Sequence, residues 1–182
     1  TGITLVGNGA LNNNTGTLTV TDIDMAAGNL TNKAVLNADT IQFSAGGNII
    51  NSKNINERTL GGGLDIDFTG GSLTNGGLMT TVDAITFTGN GGINNNAGTL
   101  TTNTIVLVNG LITNKAVLNS TAITFTGTGS INNTKTIGGA GIDITFAGGS
   151  LTNGGTMTTA DDIIFTLNGN LNNNAGTITA GT

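Results

Sequence analysis

The sequence predicts an all-β chain wound as a single-stranded parallel β-solenoid, or β-helix, of about nine coils. Three observations predict it. A five-residue phrase, Gly-x-(Leu/Ile)-x-Asn, returns nine times at nearly constant spacing. An apolar pair, Ile-x-(Phe/Leu/Met), precedes every copy. Helix-forming periodicity is absent, while 31 glycines, no proline and many β-branched Thr, Ile and Val favour short strands and turns. Self-similarity with a period near 20 residues marks a stacked repeat architecture, since one such unit cannot bury an apolar face alone.

The first element of each coil is the Ile-x-Phe type strand. It reads Ile3/Leu5, Ile23/Met25, Ile41/Phe43, Ile66/Phe68, Ile85/Phe87, Ile105/Leu107, Ile123/Phe125, Ile144/Phe146 and Ile163/Phe165. Alternation with period two puts both apolar residues on one face. The intervening Thr4, Asp24, Gln42, Asp67, Thr86, Thr124 and Thr145 then point outward. All six phenylalanines of the chain, Phe43, Phe68, Phe87, Phe125, Phe146 and Phe165, occupy this one place, so stacking would pile them into a column.

The second element is the phrase itself. Its glycines (Gly9, Gly28, Gly47, Gly71, Gly91, Gly110, Gly129, Gly149, Gly169) are expected to supply a positive-φ corner before the strand. Its aliphatics, from Leu11 to Leu171, follow one another at 19, 19, 24, 20, 19, 19, 20 and 20 residues. Its asparagines are Asn13, Asn32, Asn51, Asn75, Asn95, Asn114, Asn133, Asn153 and Asn173, an expected ladder of side-chain amides along the axis. A looser third strand follows: Thr17–Thr19, Val35-Leu36, Leu78-Met79, Leu100, Val117-Leu118, Met157 and Ile178. Three short strands per coil at the usual strand spacing predict a rod of about 43 Å.

A longer period overlies the short one. Asn12–Asn14 returns at Asn94–Asn96 and Asn172–Asn174, and Thr31–Asn37 (TNKAVLN) returns unchanged at Thr113–Asn119. The chain therefore reads as one continuous solenoid segment over residues 1–182, with a four-coil super-repeat at 11–92 and 93–170 and a third beginning at 171. The longest coil is expected to place its extra residues in a bulged corner at Asn54–Arg58.

Composition narrows the functions. Ten acidic against five basic residues give a net charge of −5, which disfavours a nucleic-acid backbone as partner. No apolar run is long enough for membrane insertion. The first residues carry no basic-then-apolar leader, so the segment reads as lacking a signal peptide. No His, Cys, Tyr or Trp is present, which removes Ser-His-Asp and Cys-His nucleophiles, disulfides and the commonest zinc ligands. The chain is read as no enzyme, with no catalytic, cofactor-binding or metal-binding residues. The carboxylates Asp22/Asp24, Asp65/Asp67, Asp161/Asp162, Asp83 and Asp143 could form a glycosidase pair, but a solvated, solubilising role explains them more simply. Gly138–Asp143 begins like a calcium nonapeptide, yet that motif works in tandem and here stands once; adventitious calcium between outward aspartates is the one cofactor considered. Lys33, Lys53, Lys115 and Lys135 fall on one corner as a solvated stripe. Asn13, Asn29, Asn119 and Asn132 begin N-x-S/T sequons of the kind that arise by chance in such a composition.

These Gly-x-Leu-x-Asn coils with their Ile-x-Phe strands resemble the repeats of filamentous-haemagglutinin-like exoproteins and bacterial cell-surface β-strand-repeat proteins, over the whole chain. The resemblance implies a right-handed, triangular helix on a long secreted or surface-held protein, often adhesive. Extracellular or cell-surface placement is the corresponding expectation. Neither end has a polar, charged cap, so continuation is expected, either within a longer fibre or by end-to-end stacking with other copies. A surface or carbohydrate ligand stays open. The function expected is a structural or adhesive rod. The alternatives are an ice-binding solenoid presenting Thr-x-Thr pairs (Thr17/Thr19, Thr99/Thr101, Thr156/Thr158, Thr177/Thr179) and a β-helix that binds or cleaves polysaccharide.

Overall fold

A computed structural model describes residues 1–59, 62–138, 143–159 and 162–180. Its secondary structure is strand throughout, and every described strand pairing is parallel. The polypeptide climbs as a β-solenoid of about nine turns, each turn adding one rung to every ladder.

The rungs follow the sequence columns residue for residue. Ile66 and Phe68 pair with Ile85 and Phe87 above and with Ile41 and Phe43 below. Gly71, Leu73 and Asn75 pair with Gly91, Ile93 and Asn95, and with Gly47, Ile49 and Asn51 on the other side. In the third column Leu18, Leu36, Ile55, Met79, Leu100, Leu118, Ile137, Met157 and Ile178 lie over one another. Period-two alternation sends these residues inward, where nearly all are fully buried in a single apolar core. A parallel ladder with a closed interior suits a sequence that repeats its apolar residues at a coil's length.

Two features depart from the sequence reading. In the coils that begin at Ala84, Thr104, Ala122 and Asp143, the first and second strands run together as single strands of 11 or 12 residues, Ala84–Asn95 among them. Backbone bonding continues through their shared corner, with a register shift such as that between Phe87 and Asn90. The extra residues of the longest coil also sit elsewhere than expected. Asn54–Glu57 is a regular third-column strand in register with Val35–Ala38, because Ile55 supplies the inward aliphatic of that rung. The added length instead separates Glu57 from Asp65, where the strand Asp65–Phe68 begins.

Candidate functional site

The asparagine column lies at the corner between the second and third strands. Asn13 Nδ2 donates to Asn32 Oδ1 at 2.8 Å, and the pattern repeats through Asn51, Asn75, Asn95, Asn114, Asn133 and Asn153 to Asn173, every link between 2.7 and 2.9 Å. The second amide hydrogen is used as well. Asn95 Nδ2 also donates to the Val117 carbonyl, and Asn114 Nδ2 to the Thr136 carbonyl, both at 2.8 Å. Each asparagine thus ties its own corner to the coil above. Asn32 to Asn153 are almost completely buried, so these bonds form away from water. All donors point toward the carboxy-terminal end, and aligned amides polarise one another in the same sense.

The phenylalanine column is two stacks of three. Phe43, Phe68 and Phe87 lie nearly parallel, with ring centroids 5.1 and 4.4 Å apart. Phe125, Phe146 and Phe165 repeat this at 5.0 and 4.7 Å. Leu107 occupies the rung between Phe87 and Phe125 and separates the stacks.

The phrase glycines have a different reason from the one expected. Positive φ occurs at only three of the nine, Gly28, Gly71 and Gly149. Gly47, Gly91, Gly129 and Gly169 instead lie four residues after a phenylalanine whose ring covers them. A Cβ on Gly91 would come within 2.3 Å of Phe87 Cδ1, and one on Gly129 within 1.9 Å of Phe125 Cδ1. The glycine is there mainly so that the ring and the neighbouring backbone can approach.

A buried hydroxyl column was missed in the sequence. It lies two residues beyond the inward aliphatic of the third strand, at Thr81, Thr102, Ser120 and Thr159. Thr81 Oγ1 donates to Thr102 Oγ1 at 2.8 Å, and Thr102 Oγ1 reaches the carbonyls of Asp83 and Thr104 at 3.1 Å. Ser120 Oγ lies at 3.0 and 2.9 Å from the carbonyls of Asn103 and Ala122. Small hydroxyl residues at Leu100-x-Thr102, Leu118-x-Ser120 and Met79-x-Thr81 were the available signal.

The carboxylate pairs are not gathered into a cleft. Asp22 and Asp65 are each paired with Thr40, and Asp24 and Asp67 with Gln42, so a neutral rung separates the two aspartate pairs. Burial, and then the neighbouring Asp65, push the Asp67 carboxyl above the usual aspartate range, while its bond with Thr86 works the other way. Asp39 accepts from Arg58 Nε at 2.9 Å and Nη2 at 2.6 Å. This hydrogen bond, and then the charge of Asp39, raise the Arg58 guanidinium further above its ordinary value. Asp161 and the middle of the calcium-like stretch, 139–142, lie outside the described residues. Among the described residues no group of three or more His, Cys, Asp or Glu side chains could hold a metal ion, and no helix is long and apolar enough to cross a membrane.

The lateral faces are shallow. One depression of about 300 Å³ lies over the second column, lined by Ser72, Thr74, Gly92, Asn94, Leu111 and Thr113. It exists because Gly92 has no side chain where neighbouring rungs carry Ser72 and Leu111. The Thr-x-Thr pairs all face outward from the third column, but Val35 and Asn37 follow Thr17 and Thr19, and Val117 and Asn119 follow Thr99 and Thr101. The threonine array is therefore interrupted. Asn13 is taken up by the ladder and is 7% exposed, so its sequon is spent on packing.

No protein-family model, no curated protein and no solved structure matches the chain.

Proposed function

We propose that the chain is a structural, adhesive rod segment of an extracellular or cell-surface filament or exoprotein, of the filamentous-haemagglutinin-like kind that its repeats resemble. One observation carries this reading. The recurring side chains are spent on stacking: the asparagines of every coil on the axial ladder, the phenylalanines of six coils on ring stacks, the aliphatics on the core. The residues that vary from coil to coil are those on the lateral faces, such as Asn48, Ser72, Gly92 and Leu111 along one outward column. That division suits a scaffold whose length and stiffness come from repetition and whose adhesion comes from its sides.

The test is immunolabelling of cells that produce the parent protein, together with retention of chain-coated beads on cell and polysaccharide surfaces. The proposal expects antibody binding to intact cells and bead retention. Labelling only after lysis, with beads that wash off every surface, would remove both the placement and the adhesive role.

A further inference from the structure

Most charges of this molecule are sorted about one face; Asp24 and Asp67 instead lie on the outward side of the first column. The outward side chains of the third column form an uncharged strip, with Thr99, Thr101, Val117, Asn119, Thr156 and Thr158 in its upper half. Every lysine lies on the corner leading into that strip. Lys33 and Lys115 stand two residues before their third-column strands, Lys53 and Lys135 one residue before theirs, and all four are exposed. Carboxylates gather on the corner leading out of it: Asp39, Glu57, Asp65, Asp83, Asp143 and Asp162. On that side Arg58 is ion-paired with Asp39. The outward residues of the second column carry no charge in any described rung.

A face with a basic left border and an acidic right border is complementary to itself in one orientation only. When two rods meet strip to strip about a two-fold axis parallel to their length, the lysine border of each meets the acidic border of the other. When they meet antiparallel, lysines oppose lysines and carboxylates oppose carboxylates. We infer that the third-column face is a lateral pairing surface for a second copy of this chain, with the two rods parallel and running in the same direction. Leu78 and Val117, 42% and 37% exposed, give the strip apolar contact that a purely solvated face would not need.

Charge complementarity sets orientation and rate more than raw affinity. A strip about five residues wide and nine coils long covers roughly 700 Å² per rod. That is slightly below the ~800 Å² per partner of a standard stable interface. Pairing of this segment is therefore weak, reversible and salt-sensitive, and the area grows with each further coil. The inference is independent of where the rod is displayed; its failure would leave the scaffold reading intact.

The experiment is sedimentation of the full chain from about 10 μM to about 1 mM, at low ionic strength and in about 1 M salt. The expected result is a monomer–dimer equilibrium at low salt that is lost in high salt. Lys115→Glu/Lys135→Glu should weaken it about tenfold or more, as should Asp143→Lys/Asp162→Lys, while a mixture of the two variants pairs again. The cysteine-free sequence permits a second readout. With a short bis-maleimide, Thr17→Cys should cross-link to Thr17→Cys and Thr156→Cys to Thr156→Cys. A monomer at every concentration, association indifferent to salt and charge reversal, or cross-links only between Thr17→Cys and Thr156→Cys would each overturn the inference.

Discussion

Asn95 sits midway up the amide ladder, accepting from Asn75 at 2.9 Å and donating to Asn114 and to the Val117 carbonyl at 2.8 Å. The Asn75 amide keeps the carbonyls of Gly77 and Thr99, but Asn95→Ala deprives two acceptors in the dry interior, Asn114 Oδ1 and the Val117 carbonyl, of their side-chain donor. Each such group costs about 1–3 kcal/mol, so a loss of about 2–4 kcal/mol is expected in urea unfolding. Thr113→Ala, on the outward side of the next rung, should change stability by no more than about 0.5 kcal/mol in the same assay. Phe87→Ala removes a fully buried ring and should cost about 3–5 kcal/mol. Phe87→Leu should cost much less, since Leu107 already fills the equivalent rung. Asp67 gives the pH prediction. Its folded-state carboxyl holds its proton more tightly than the unfolded chain does, so the folded state loses stability as pH rises through the raised value. Asp67→Asn should therefore stabilise the protein at about pH 7, and the gain should vanish as pH falls below the ordinary aspartate range. Urea midpoints at the two extremes of pH measure it; a gain that persisted in acid would contradict the burial cause.

The strand and its following corner form one packing unit. Gly91→Ala drives a Cβ against the Phe87 ring and should destabilise the coil, while adding Phe87→Leu should recover part of the loss. A double-mutant cycle reads the coupling, and strict additivity would refute the ring-over-glycine explanation. The corners also show where sequence reading stopped. Columns were legible because stacking brings residues one coil apart into register, so Ile66, Phe68 and Asn75 could be assigned rungs from spacing alone. The corner itself is decided by hydrogen bonds between coils, which no periodicity displays. The extra length near Ile55 could be absorbed before or after the third strand, and only the pairing of Asn54–Glu57 with Val35–Ala38 places it after. The hydroxyls of Thr102 and Ser120 look like ordinary strand residues until their buried carbonyl partners are seen. The glycines recur plainly in the sequence, but their tolerance of an overlying ring depends on a side chain four residues away. Composition accounts for the acidic residues as solvated groups; the structure adds that most of them border one face, while Asp24 and Asp67 lie on the outward side of the first column.

The whole molecule is quasi-one-dimensional, each coil touching mainly the coils beside it. Stability is then a sum of coil and interface contributions, which is why a break at Asn95 or Phe87 is felt by the neighbouring rungs first. The central claim is that each turn rises by one strand spacing with its third-column residues in vertical register. Thr17, Thr99 and Thr177 stand in that column with four coil steps between successive members. Spin labels placed in pairs at these positions, in a chain with no native cysteine, measure the claim directly by double electron–electron resonance. Label pairs at 17/99 and at 99/177 should each report about 19 Å of axial separation, and 17/177 about 38 Å. Distances that fail to add in this way, or a 17/177 pair no farther apart than its halves, would contradict the stacked solenoid.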